Sequence, residues 1–146
     1  MPSVFRELAH ALASLTTNCH EFHKAWNRTK PARRLHRHWK GEWRSEANQH
    51  HGLLNCVIDE IGGNNLKVFF HAKYSKILRV CYSVQMSAHE NSNGVLELKG
   101  KTNLGKLAGG NYTYEGQLSR KRFVCKYRCR YDFGTFILRP VRTPTK

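Results

Sequence analysis

Acidic residues are scarce in this chain. Ten Asp and Glu stand against 25 Lys and Arg over 146 residues, a formal net charge of +15. That scarcity weakens any reaction needing paired carboxylates, and Glu42, Glu46, Glu97 and Glu115 all fall on the polar face of alternating segments. No apolar run approaches the roughly 20 residues of a membrane-spanning helix, so no membrane partner is expected. CxxC pairs are missing among the five cysteines, which removes the basis for a zinc knuckle or ribbon. The cysteines, Cys19, Cys56, Cys81, Cys125 and Cys129, are odd in number, irregularly spaced and mostly inside strand-like runs. They read as reduced thiols serving as small apolar residues, which implies a reducing compartment. The opening MPSVFRELAHALASLTTNC lacks the charged start of a secretory signal, and Glu7 and His10 break its apolar part. A cytoplasmic location is expected. A nucleophile elbow and a phosphate loop are also missing, and the Asp-Phe-Gly at 132–134 comes without other kinase signatures, so it reads as a turn. The protein is expected not to be an enzyme.

Hydrophobic residues make up 40% of the chain, enough for one core in a single domain of this length. Phe5, Leu8, Leu12 and Leu15 recur at helical spacing and predict a short amphipathic helix over 3–15. Residues 16–37 lose periodicity, are basic and contain Pro31, and read as a linker or flexible arm. The division is therefore 1–35, helix and basic arm, and 36–146, a β domain. From residue 38 the apolar period becomes two. Strands are expected near 38–46, 52–60, 66–74, 77–86, 95–101, 111–119, 122–133 and 135–142, with turns at IGGNN (61–65) and NSNG (91–94) and a reversal at Gly134. Short links between consecutive strands mean antiparallel hairpins. The fold class is all-β, an eight-stranded antiparallel meander barrel with a short N-terminal helix and basic arm. Closing the sheet removes exposed edges, and eight strands enclose either a filled core or one small ligand.

Gly41-Glu42-Trp43 on the first strand of such a meander resembles the calycin group, which includes lipocalins and fatty-acid-binding proteins. WKGEW, FHAKYSKILRVCYSVQM and YTYEG are also similar to small uncharacterised bacterial barrels of this type, a similarity that implies no established activity. The resemblance implies that Trp43 plugs one barrel end, that Gly41 lets the backbone pass close, and that Arg139, or else Arg142, lies over the indole as a cation–π partner.

On the inward face the expected set is aromatic and hydroxylated: Tyr74, Tyr82, Tyr112, Tyr114, Tyr127 and Tyr131, with Phe70 and Phe123. Phe70, Tyr82, Tyr112, Tyr114, Tyr127 and Tyr131 are the candidate ligand-lining residues, because buried hydroxyls need partners and favour a partly polar cavity. A filled core is the alternative. The expected function is thus binding of a small, partly apolar molecule. The runner-up is nucleic acid or another anionic polymer held by an outer ridge of Arg120, Lys121, Arg122, Lys126, Arg128 and Arg130, with Trp26, Arg33, Arg34 and Arg37 of the arm assisting. Inward-alternating aromatics argue against base stacking on the sheet. Nine histidines form three clusters, Cys19-His20-x-x-His23, His36-x-His38 and His50-His51, but none is completed at a known ligand spacing, so neither a metal nor a cofactor is expected. Haem held by one histidine, which the calycin resemblance also brings in, lacks a ligand because His71 alternates outward.

Overall fold

Alternation of large apolar with polar side chains makes strands of nearly everything after residue 37. The computed structural model describes residues 19–29, 37–74, 79–104 and 110–141. The expected helix over 3–15, Arg33, Arg34 and Arg142 lie outside the described residues. The elements are α1 (Cys19–Arg28), β1 (His38–Ser45), β2 (His51–Gly62), β3 (Asn65–Lys73), β4 (Arg79–Glu90), β5 (Leu96–Asn103), β6 (Asn111–Leu118), β7 (Phe123–Arg128) and β8 (Phe133–Pro140). Each strand pairs antiparallel with the next, and β8 returns to β1, which closes the eight-stranded meander barrel.

β1 shows how the sequence makes the wall. Trp39, Trp43 and Ser45 are buried, while Lys40, Glu42 and Arg44 are exposed. Gly41 sits between the two indoles, where a Cβ would stand 1.9 Å from the Ile137 carbonyl oxygen. Only glycine lets β1 approach β8 this closely.

The interior has two chemically different ends. At the one holding the start of β1, Trp39, Ile58, Leu66, Met86, Leu98, Leu118, Phe123 and Leu138 are all buried in one apolar cluster. Trp39 is fully buried and meets Phe123 edge-on at 6.0 Å, so it fills this end. Each such side chain contributes roughly 1.5–3 kcal/mol by burial. The opposite end holds Trp43 and the tyrosines.

Residues 19–28, read from the sequence as linker, instead form α1. Phe22 and Ala25 are buried, and Cys19 and Trp26 pack against the same cluster, an i, i+3, i+6, i+7 stripe. Its landing surface is the outer side of β2, β3 and β4, where Val57, Phe69 and Cys81 are buried. These strands are apolar on both faces because they are covered on both. Cys19 and Cys81 form a disulfide across 62 residues, which corrects the expectation of reduced thiols for this pair. A cross-link of that span contributes about 4 kcal/mol on the chain-entropy account. Cys56, Cys125 and Cys129 are free thiols. The helix end is held further by Arg28 and Arg37 against Asp59, at 3.2 and 3.7 Å, and by His38 Nε2, which donates to the Trp26 carbonyl at 2.8 Å. Among the described residues no helix is long and apolar enough to cross a membrane.

Candidate functional site

Period-two alternation at the ends of β3, β4, β6 and β7 brings the tyrosines together. Tyr114 is the hub. Its ring centroid lies 6.5 Å from Phe70, 6.4 Å from Tyr82, 6.3 Å from Tyr112 and 6.4 Å from Phe136. Tyr127 stacks on Phe136 at 4.9 Å and adjoins Tyr112. These separations lie in the range of favourable ring pairs, those around Tyr114 toward its long side. Five of the six expected lining residues, Phe70, Tyr82, Tyr112, Tyr114 and Tyr127, therefore do converge.

Burial raises the pKa of the Tyr74, Tyr82, Tyr112, Tyr114 and Tyr127 hydroxyls far above the ordinary phenol range. For Tyr127 the nearby Asp132 adds to the effect of burial. All five are neutral donors at any physiological pH. Burial likewise pushes the Cys125 thiol up to about 12 and that of Cys56 well above its usual value, so neither supplies a thiolate. The Tyr114 hydroxyl is buried without a hydrogen-bond partner. Tyr82 is the neighbouring hydroxyl that faces it, short of good bonding geometry.

Tyr82 is half-buried overall, with its hydroxyl end inside, and it also borders the outside. β4 and β5 pair only from Met86 opposite Gly100 to Glu90 opposite Leu96, although β4 starts at Arg79 and β5 runs on to Asn103. Beyond Gly100 the two strands part. A groove of about 340 Å³ occupies that split, lined by Glu21 and Phe22 of α1 with Phe69, Tyr82, Ser83, Asn103 and Leu104.

Asp132 is a buried carboxylate that the sequence reading missed. It is 7% exposed and accepts from Ser45 Oγ at 2.5 Å and from the Tyr127 hydroxyl at 3.2 Å. Ser45 in turn accepts from the Ala47 and Asn48 backbone N–H groups, so the carboxylate pins the β1–β2 turn to the end of β7. Trp43, buried beside it, donates from Nε1 to the Lys73 carbonyl at 2.9 Å and faces Tyr74 at 4.5 Å.

Two expected site residues are elsewhere. Tyr131 is 52% exposed, not interior. The chain reverses at 129–132, where Cys129 N–H donates to the Asp132 carbonyl, and the inward alternation stops there. Phe133 then begins β8 on the outer face, and Gly134 is a strand residue, not the turn. Arg139 is exposed and opposite Lys40, whereas Trp43 is opposite Phe136, so Arg139 does not lie over the indole. Tyr74 holds that place. The cation–ring contacts among the described residues are Lys67 on Phe69, Arg128 on Phe133 and Arg130 on Tyr131.

The basic ridge is exposed throughout but is not one stripe. Lys126 and Arg128 project from β7, Arg120, Lys121 and Arg122 lie at the β6–β7 turn, and Arg130 belongs to the 129–132 turn. Glu115 stands opposite Lys126. Trp26 and Arg37, expected in a free arm, are committed to His38 and Asp59. His71 does face outward, yet α1 covers it. Its donor nitrogen lies with the Cys19 and Cys81 sulfurs within 4.8 Å of one another. Burial, the largest effect, lowers its pKa below the ordinary imidazole value, with Arg79, His23 and Lys73 adding to the shift.

No protein-family model, no curated protein and no solved structure matches the chain.

Proposed function

We propose that the protein is a non-enzymatic, calycin-type binding barrel that takes a small, partly apolar molecule with a hydrogen-bond acceptor at its tyrosine end. The observation that carries this reading is the Tyr114 hydroxyl, buried and unpartnered at the centre of a ring of aromatic side chains. A buried donor without an acceptor costs about 1–3 kcal/mol, which an acceptor on a ligand recovers. The aromatic walls supply dispersion, and the split between β4 and β5 beside Tyr82 gives access from outside. Of the two grounds for the cytoplasmic reading, reduced thiols have lost their support with the Cys19–Cys81 bond.

Native mass spectrometry of protein purified from its own source, followed by thermal-shift screening of small aromatic acids and ketones, tests the proposal. A bound mass is expected, and its affinity falls roughly 2- to 12-fold in Tyr114→Phe, the range of one hydrogen bond. The absence of both a retained mass and any thermal shift overturns it.

A second reading has its own observation. Tyr131 and Phe133 are exposed with Arg130 and Arg128 stacked on them, an outward pair of aromatic–guanidinium units beside the basic β7 face. Such units suit the bases and phosphates of a single strand. Salt-dependent shifts of single-stranded DNA, lost in a Tyr131→Ala/Phe133→Ala variant, would establish this reading in place of the first.

A further inference from the structure

We infer that Cys19, His23, His71 and Cys81 form a redox-gated zinc site, closed in the disulfide state and open to Zn²⁺ once the pair is reduced. Cys19 and His23 are one helical turn apart on α1. His71 and Cys81 are register partners on β3 and β4, so both side chains rise from the barrel wall toward α1. The helix and the wall each supply one sulfur and one imidazole.

The distances suit a tetrahedral ion. The donor atoms of Cys19, His71 and Cys81 lie within 4.8 Å of one another. Zn–S bonds of about 2.3 Å and Zn–N bonds of about 2.0–2.1 Å set donor separations of roughly 3.3–3.8 Å. The imidazole therefore has to close in by only about an ångström, while the two sulfurs separate from bonding distance. His23 meets His71 edge-on with ring centroids 5.8 Å apart, which places the fourth donor at the rim. Phe22 lies against the His71 ring at 5.2 Å and shields the inner side.

Charge also favours this donor set. Lys40, Lys73 and Arg79 line the adjoining groove. A divalent ion held by imidazoles alone would add two positive charges among these cations. Two thiolates cancel them, so a Cys₂His₂ zinc site is neutral where a further cation would be repelled.

A dithiol reductant gives two electrons and two protons to the Cys19–Cys81 bond, leaving two thiols and its own disulfide. Zn²⁺ then displaces both thiol protons to solvent and takes the two sulfurs and two imidazoles. Exchange with an external disulfide reoxidises the pair and expels the ion. The helix is tied to the wall in both states, by a covalent bond in one and by the metal in the other. No group of the barrel interior takes part in either state.

The full chain is prepared in two forms, untreated and reduced, with reductant removed under anaerobic conditions. Each is titrated with Co²⁺ and then Zn²⁺. The reduced form should bind one Co²⁺ with the intense visible bands of tetrahedral coordination and a thiolate charge-transfer band, both lost on adding Zn²⁺. The untreated form should show neither band. His71→Asn should weaken reduced-state binding by at least about tenfold. A reduced chain with no tetrahedral cobalt spectrum overturns the inference, as does a spectrum unchanged in Cys19→Ser/Cys81→Ser. Because those cysteine variants also lose the tether and can fail to fold, alkylation of the unaltered reduced chain provides an independent check. Zn²⁺ should protect Cys19 and Cys81 from iodoacetamide while Cys129 still reacts. Equal modification with and without Zn²⁺ likewise overturns the site.

Discussion

The two ends of the barrel are built from the same strands and do opposite things. One is packed with Trp39, Phe123 and aliphatic side chains, where the Trp39 indole N–H brings the one hydrogen-bonding side-chain group among these residues. The other gathers five tyrosines, a buried carboxylate and Trp43, and lies beside the split between β4 and β5. Apolar packing specifies the first end, whose rim still carries an open hollow of about 650 Å³ beside Leu66, Leu96 and Leu118, whereas directional bonds specify the second and leave one hydroxyl without a partner. A ligand site belongs where packing is incomplete and polar groups converge, and the filled end supplies the rigidity that holds those groups in place.

The largest expected effect is at the filled end. Trp39→Ala should lower stability in urea unfolding by about 3–5 kcal/mol, because removing a fully buried indole leaves a cavity that the surrounding side chains fill only in part. Trp43→Ala should cost a similar amount; a loss below about 1 kcal/mol would show that the tyrosine end carries little packing at all. Next is Asp132→Ala, which leaves Ser45 Oγ and the Tyr127 hydroxyl without their acceptor and should cost roughly 2–3 kcal/mol. The sharpest contrast is between two tyrosines of one cluster. Tyr127→Phe loses a made bond and should destabilise by about 1 kcal/mol. Tyr114→Phe removes an unmade one and should be neutral or slightly stabilising. If both destabilise equally, the Tyr114 hydroxyl has a partner and the binding proposal loses its main support.

Two smaller effects lie outside the interior. Burial holds the His71 pKa below the ordinary imidazole value of about 6.5, so the unfolded chain binds the proton more readily. Stability should therefore be fully present above that value and fall as pH drops through it toward the lowered folded pKa. His71→Asn should flatten this part of the pH profile, measured by chemical denaturation across the acid range. The smallest expected effect is Lys126→Gln/Arg128→Gln, within about 0.5 kcal/mol, since exposed charges contribute little.

Most of the barrel was legible because its information is local. Alternation in β1, β6 and β7 identifies the inward side chains, and short links fix the meander. The same rule failed where alternation runs through a turn. Cys129 still packs against the interior, but Tyr131 and Phe133, which continue the pattern of β7 in sequence, come where the chain reverses at 129–132 and are exposed. Asp132 was hidden for that reason: a carboxylate in a turn signal looks solvated, and only the approach of Ser45 from β1 makes it interior. The helix was obscured by its basic composition, although Phe22, Ala25 and Trp26 carry a helical stripe. Its landing site was written in the consecutive apolar residues Cys56-Val57-Ile58, Val68-Phe69-Phe70 and Val80-Cys81-Tyr82, which no one-sided strand requires. The disulfide and the donor cluster around His71 depend on residues 62 apart meeting across that helix, and no spacing rule anticipates them. Arg139 was misplaced because the resemblance to calycins supplied a ring partner that this chain replaces with Tyr74.

The meander also sets the order in which the protein can fold. Seven of its eight strand pairings join sequence neighbours, and only β1 with β8 joins the ends of the barrel. Closing that seam brings residues 39–45 against 134–140, at a chain-entropy cost about 3 kcal/mol above that of a tight hairpin. Hairpins should therefore form first and closure last, on the slow side for a domain of this size. Until closure, β1 and β8 are bare edges bearing Leu138, Phe136 and the two tryptophans, which makes the unclosed ribbon the species most prone to pair with another copy.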